Sequence, residues 1–150
     1  MNQLNRSSNY LLWFIITVMS TPGFAHAQKP SLNAYARYKR GVIYHDKAYY
    51  YKAISEFTKA IKIDPGYARA YYNRGNVYTN LGRYNEAISD FTKAVQIDPT
   101  YAMAYYNRGI THFLKKDYNN AWIDINKAIE IGINIHPVFL KMLREDSERE

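Results

Sequence analysis

The chain has 150 residues, of which 47% are hydrophobic and 22% are charged, proportions typical of one globular domain with a modest core. It has no cysteine, which excludes disulfide bonds, thiolate metal sites and catalysis by a thiol. The net charge of +7 could favour an anionic partner, but basic and acidic residues are mixed along the chain, as on an ordinary solvated surface.

The first 27 residues have the organisation of a secretory signal peptide. Arg6 is the only charged side chain before an apolar run at residues 11–19 (LLWFIITVM), and an Ala-His-Ala sequence ends at Ala27. The apolar run is shorter than the roughly 20 residues that span a bilayer. We therefore predict a signal peptide at residues 1–27, cleaved after Ala27, and a periplasmic or secreted protein. The alternative is an uncleaved anchor or a buried helix, and membrane contact is expected only if the segment is uncleaved.

After a short linker predicted at residues 28–33, the sequence repeats with a period of 34. Gly41, Gly75 and Gly109 fall in register, and each is preceded by arginine. This register defines three units at residues 34–67, 68–101 and 102–135, and positions are numbered from the first residue of each unit. The first two units agree at 18 of 34 positions and the last two at 14, which excludes chance. Repeats of this length indicate an array in which neighbouring units share a core.

Each unit is predicted to form two helices. Small residues and tyrosines recur at helical spacing over positions 1–14, and a break follows, with Gly82 suited to a helix end in the second unit. The next stretch places Ala87, Phe91 and Ala94 on one stripe, and an Asp-Pro pair ends it in the first two units. The glycine at position 8 lies in mid-helix, where it costs about 1 kcal/mol relative to alanine. We therefore expect the backbone of the paired helix to approach it closely, in an all-α fold.

The recurring residues resemble the signature of the tetratricopeptide-repeat family, which has glycine at position 8, tyrosine at 11, alanine at 20, phenylalanine at 24, alanine at 27 and proline at 32. The residues that match it are Gly41, Tyr44, Ala53, Phe57, Ala60, Pro65, Gly75, Tyr78, Ala87, Phe91, Ala94, Pro99, Gly109, Ala121 and Ala128. The third unit has His112, Ile125 and Ile133 at the other three positions, and repeats near the end of an array are often atypical. The chain is similar to small exported bacterial members of this family. The resemblance implies an α-solenoid of three helix-turn-helix repeats, closed by a capping helix at residues 136–147.

The resemblance also implies a function in binding another protein. In this family the first helices line a concave face that holds a peptide or helix of a partner. The positions that correspond to that groove are Tyr35, Tyr38, Lys39, Arg69, Tyr72, Asn73, Asn76, Asn80, Met103, Tyr106, Asn107 and Ile110. Tyrosine gives a large contact area with few rotors to freeze, and asparagine can donate to and accept from a peptide backbone. The alternative is that Tyr38, Tyr72 and Tyr106 mainly pack against neighbouring helices.

Some family members grip a C-terminal carboxylate, with lysine at position 5 as a key residue. Tyrosine occupies that position in every unit here, and Asn76, Asn107 and Lys141 form only a partial version, so the sequence disfavours this subtype. The arginines at position 7, Arg40, Arg74 and Arg108, have two interpretations. They form either a row that binds anions or helical arginines that pair with nearby acids.

The sequence contains no motif that indicates catalysis, a metal site or a cofactor site. His45, His112 and His136 show no metal-ligand spacing, and there is no Gly-rich phosphate loop or nucleophile motif. We predict a non-enzymatic adaptor or scaffold, with no catalytic residues, no metal, no cofactor and no specific nucleic acid. The alternatives are a self-assembling structural module, which would be a homo-oligomer, and a binder of an anionic polymer.

Overall fold

The computed structural model describes residues 30–149, so the predicted signal peptide at residues 1–27 lies outside the described part. These residues form seven α-helices and no strand. The helices are α1 (Leu32–Asp46), α2 (Tyr50–Ile63), α3 (Ala68–Asn80), α4 (Tyr84–Ile97), α5 (Ala102–Leu114), α6 (Tyr118–Ile131) and α7 (Pro137–Ser147). Each helix packs mainly against its neighbours in sequence, which is the arrangement of an α-solenoid. No helix between residues 30 and 149 combines the length and the apolar character needed to cross a membrane.

The helix boundaries follow the 34-residue pattern except at the start of the array. The prediction of a linker up to residue 33 is wrong at its end, because α1 begins at Leu32. Ser31 causes this early start. Its hydroxyl oxygen accepts a hydrogen bond from the backbone N–H of Ala34 at 3.2 Å and so caps the first turn.

The turn inside each repeat uses one residue in the left-handed conformation at position 15. That residue is Ala48 with φ 56°, Gly82 with φ 70° or Lys116 with φ 62°. Glycine adopts this conformation freely, whereas alanine and lysine meet a steric cost from their Cβ atoms. The turn geometry is therefore imposed by the packing of the two helices, and the sequence matches it only in the second repeat.

The space beside each position-8 glycine is filled by a side chain of the paired helix. A Cβ atom added at Gly41 would lie 2.6 Å from the ring of Phe57, and one at Gly75 would lie 2.8 Å from Phe91. We expected the backbone of the paired helix to contact this glycine. In these two repeats the neighbour is instead the aromatic ring at position 24. Only at Gly109 does a backbone atom, the Ala121 carbonyl oxygen at 3.2 Å, join the side chain that fills this space. Glycine at position 8 and a large residue at position 24 are thus complementary.

The C-terminal end of the array is closed by α7, as expected for the capping helix. The second helix of the third repeat ends at Ile131 and is capped by Gly132, with φ 115°, where the other repeats have Asp followed by proline. Pro137 then begins α7 as its first residue. Leu143 is fully buried against Ile135 and Ile125, so α7 covers the apolar surface at the end of the third repeat.

Candidate functional site

Polar side chains join the first helices of successive repeats. The side-chain amide of Asn73 donates to the hydroxyl oxygen of Tyr38 at 3.2 Å, and that of Asn107 donates to Tyr72 at 3.0 Å. Both bonds join position 6 of one repeat to position 5 of the repeat before it. We call these four residues the tyrosine–asparagine ladder. The ladder runs along α1, α3 and α5, and so makes one continuous surface of the three first helices.

The rings of the ladder tyrosines pack into the array. The ring centroid of Tyr38 lies 5.0 Å from that of Tyr67, and the centroid of Tyr72 lies 4.9 Å from that of Tyr101. Both tyrosines are half-buried. Burial raises the pKa of Tyr67 to about 12, so its hydroxyl stays neutral in this cluster. The alternative that these tyrosines pack inside the array therefore describes their rings, while their hydroxyls take part in the ladder.

The asparagines of the ladder leave acceptors at the surface. The amide N–H groups of Asn73 donate to Tyr38 and to the backbone oxygen of Arg69. Those of Asn107 donate to Tyr72 and, at 2.8 Å, to the side-chain oxygen of Asn76. Within residues 30–149, no donor is bonded to the side-chain oxygens of Asn73 and Asn107. We expected each asparagine to donate and accept, but the structure uses the donors of these two internally and leaves their acceptors for a ligand.

The other predicted groove residues differ in exposure and partners. Arg69, Lys39 and Met103 are exposed, and Ile110 is half-buried. Asn80 is exposed, and its amide lies 3.1 Å from Nε2 of His45 on the preceding first helix.

Two predicted tyrosines stand at the ends of this surface. Tyr35 is 45% exposed beside Tyr38. Tyr106 does not extend the ladder, because its ring meets the edge of Phe139 on α7 where the earlier tyrosines meet an asparagine. The surface thus spans α1 to α5 and stops at the capping helix.

The position-7 arginines of the second and third repeats are held inside the array. Arg74 binds both carboxylate oxygens of Asp90 at 2.7 Å and donates to Thr58 of the preceding repeat at 2.9 Å. Arg108 repeats this arrangement with Asp124. Burial lowers the pKa of Arg74, but the hydrogen bonds and charge of Asp90 outweigh this and raise it overall. The anion-row alternative is therefore wrong for these two residues, since an aspartate neutralises each guanidinium and three of its five N–H donors are bonded within the array.

The sequence contains a signal for these ion pairs that lies outside the repeat signature. Glu56, Asp90 and Asp124 all occupy position 23, sixteen residues after the arginine in each unit. An opposite charge that recurs in register with another indicates a pair, in the same way that recurring apolar residues indicate a core.

The first repeat lacks this closed pair. The guanidinium of Arg40 is 3.8 Å from Glu56, and the Arg40 side chain is 54% exposed. Arg37 and Lys59 bind the same carboxylate at 3.2 and 2.6 Å. Burial alone would raise the pKa of Glu56, but hydrogen bonds from Lys59 and Arg37 lower it overall. Three cations thus surround one carboxylate at this end of the molecule.

The two asparagines of the partial carboxylate grip are bonded to each other, Asn107 to Asn76, as described above.

No group of three His, Cys, Asp or Glu side chains between residues 30 and 149 could hold a metal ion. His112, which replaces the signature tyrosine, lies 2.9 Å from Asp117 and 4.0 Å from Asp124. This histidine therefore belongs to a polar cluster with the two aspartates.

Comparisons with known proteins agree on one family. Sequence models described as "Tetratricopeptide repeat" match residues 68–101 and 91–123, and one described as "TPR repeat" matches residues 49–82, so together they span half of the chain. No curated protein matches the chain.

Solved structures of tetratricopeptide-repeat domains have the same fold. The first TPR of Spaghetti (RPAP3), bound to the HSP90 peptide SRMEEVD, is 28% identical, with a TM-score of 0.73 over 79% of this chain and 94% of that one. The OM64 TPR domain of Arabidopsis is 27% identical, with a TM-score of 0.72 over 75% and 95%. The TPR2B domain of yeast Sti1, in complex with pHsp70, is 26% identical, with a TM-score of 0.71 over 80% and 100%. The similarity therefore covers nearly the whole length of these domains.

Proposed function

Because the chain belongs to the tetratricopeptide-repeat family, we propose that it is a non-enzymatic adaptor that binds a peptide or helix of a partner on the face formed by α1, α3 and α5. The observation that carries the proposal is the tyrosine–asparagine ladder. It makes that face continuous and leaves the side-chain oxygens of Asn73 and Asn107 as acceptors for peptide N–H groups. The exposed side chains of Arg69 and Met103 add a cation and an apolar contact beside them.

Two of the similar domains are complexes with polypeptides, one with the HSP90 peptide SRMEEVD and one with pHsp70, which supports a peptide ligand here. The ligand chemistry we propose differs from a C-terminal carboxylate. Tyr38 and Tyr72 stand where the carboxylate-gripping members have lysine, and Asn76 and Asn107 are bonded to each other. An internal segment, read through its backbone N–H groups, fits this surface better than a chain end.

The test is partner capture with residues 28–150 as bait, followed by identification of the partner by mass spectrometry. Met103→Asp places a charge on the first-helix face, and Ile123→Asp places the same charge at an exposed isoleucine of the second helix α6. Both residues are exposed, so neither change should unfold the array. The ladder tyrosines are unsuited to this test, because removing rings packed like that of Tyr72 would also destabilise the fold.

The proposal predicts that Met103→Asp abolishes capture and that Ile123→Asp leaves it intact. Equal capture by both variants would contradict the proposed face. The captured segment should also bind equally well when its C-terminus is amidated. A large loss on amidation would show a carboxylate ligand.

Salt dependence separates this function from binding of an anionic polymer through the basic surface. Polymer binding weakens steeply as salt rises, because each neutralised anion releases counterions. Capture through the ladder surface should change little with salt. Light scattering at several concentrations tests the self-assembling alternative, and a monomer at high concentration would remove it.

We also propose that residues 1–27 direct export, so that the adaptor acts in the periplasm or outside the cell. The support is the sequence pattern of a short apolar run followed by Ala-His-Ala. Mass spectrometry of the protein recovered from the exported fraction should show an N-terminus at Gln28. Recovery of intact Met1 in that fraction would contradict cleavage.

A further inference from the structure

One side of α1 is exposed although the equivalent sides of α3 and α5 are covered. At position 10, Val77 and Thr111 are fully buried, whereas Ile43 is 51% exposed. At position 3, Ala70 is fully buried and Ala36 is exposed. The residues on this side of α1, which we call the outer face of α1, are Leu32, Ala36, Arg40 and Ile43.

The array itself shows what kind of element such a face receives. In the second repeat, Val77 packs against Phe57 on the second helix of the preceding repeat. Arg74 donates to Thr58 on that same helix, and Ala70 packs near its Ala60. This side of α3 therefore receives an amphipathic helix, α2, whose alanine, phenylalanine and threonine lie opposite Ala70, Val77 and Arg74. No preceding helix is present at α1 within residues 30–149.

The outer face of α1 differs from its counterparts in charge. The second repeat pairs one arginine, Arg74, with one aspartate, and its side chain is only 16% exposed. The first repeat has three cations around its one carboxylate, Glu56. They are Arg37, Arg40 and Lys59, and their side chains are 38–54% exposed. Within residues 30–149, Arg40 also has no counterpart of Thr58, the residue of the preceding repeat to which Arg74 donates. This end of the array thus presents an apolar stripe beside an excess of positive charge.

We propose that the outer face of α1 is a second docking surface, which binds an acidic amphipathic helix of a partner protein. The helix takes the place that α2 takes against α3, with its apolar side on Leu32, Ala36 and Ile43 and a carboxylate on Arg40. This surface lies at the edge of the array and is separate from the Met103 side of the proposed peptide-binding face.

Two other occupants fit less well. The residues that precede α1 place Met19, Gly23 and His26 where α2 has alanine, phenylalanine and alanine, and Pro22 interrupts the sequence between them. Apart from a histidine, the only charged side chain among residues 1–27 is that of Arg6. Because it is a cation, it cannot pair with Arg40. A second copy packed through the same face would bring the same cations together, which is unfavourable.

The test uses a defined helix as the probe. It is a hydrocarbon-stapled peptide, stapled between positions 85 and 89, with the sequence of α4, YNEAISDFTKAVQI, in which glutamate replaces Thr92, Lys93 and Gln96. Thr92 corresponds to Thr58 of α2, so its replacement places a carboxylate at Arg40. A matched peptide carries lysine at all five acidic positions. Fluorescence anisotropy measures binding to residues 28–150 and to three variants, Ile43→Asp, Met103→Asp and Ile123→Asp. We expect saturable binding of the acidic helix only. Ile43→Asp should weaken it by about tenfold or more, because a charge then enters an apolar contact, and the other two variants should bind as the wild type does.

Three results would overturn the proposal. The first is binding that Ile43→Asp does not change, or no binding of the acidic helix at all. The second is self-association in sedimentation equilibrium that Ile43→Asp removes, which would assign the face to a second copy. The third is slower amide exchange in α1 when residues 1–27 are present. The two proposals fail separately: partner capture that Met103→Asp leaves intact would contradict the proposed function alone, and binding of the acidic helix that Ile43→Asp leaves intact would contradict this second surface alone.

Discussion

The first repeat and the second repeat share 18 of 34 residues but differ in how their first helices are covered. Val77 of α3 is fully buried and Arg74 is closed in a bidentate pair with Asp90. Their counterparts in α1, Ile43 and Arg40, face solvent. Within residues 30–149, the same pattern therefore makes an internal packing face in one place and an exposed surface in another. In a repeat array a residue's role depends on whether a neighbour precedes it.

The largest expected difference between the two repeats concerns the acid at position 23. Asp90→Ala removes the only carboxylate within residues 30–149 that binds Arg74 and leaves a mostly buried guanidinium, so the free energy of unfolding should fall by about 3–5 kcal/mol. Glu56→Ala should cost no more than about 1 kcal/mol, because its cations are at least 38% exposed and can turn to water. Urea unfolding of both variants measures this difference. Equal losses would mean that the first repeat is as closed as the second.

A smaller difference is expected at position 10. Val77→Ala opens a cavity between α3 and α2 and should lower the free energy of unfolding by about 2 kcal/mol. Ile43→Ala should change it by about 0.5 kcal/mol or less, because the side chain is half exposed. Thermal unfolding of the two variants provides the measurement. A large loss for Ile43→Ala would show that a part of the chain outside residues 30–149 covers α1.

The smallest expected effects concern the turn at position 15, where the repeats differ only in residue type. Gly82→Ala forces a Cβ atom into the left-handed region and should lower the free energy of unfolding by about 1–2 kcal/mol. Ala48→Gly removes that strain from the first repeat and should raise it by up to about 1 kcal/mol. Lys116→Gly is the matched change in the third repeat. A loss of stability in both glycine variants would contradict the assigned turn geometry.

The sequence predicted the repeat, the helix pairs and the capping helix. The 34-residue period shows the repeat directly, and the residues that begin and end the helices, such as the Asp-Pro pairs, can be recognised without knowing how the helices pack. It did not predict the start of α1, because Ser31 caps this helix ahead of the repeat boundary. The ladder bonds join residues 35 positions apart, such as Tyr38 and Asn73, and depend on how the repeats stack. The place of Tyr106 depends in the same way on α7. These features require three-dimensional geometry that the period alone does not contain.

The most direct test of the account is to map the captured partner segment on residues 28–150 by NMR chemical-shift changes. The account predicts the largest changes on the first helices, at Asn73, Asn76 and Met103, with the second-helix residue Ile123 unchanged. Changes confined to α2, α4 and α6, with Asn73 and Met103 unmoved, would contradict the claim that the ladder surface is where this protein binds its partner.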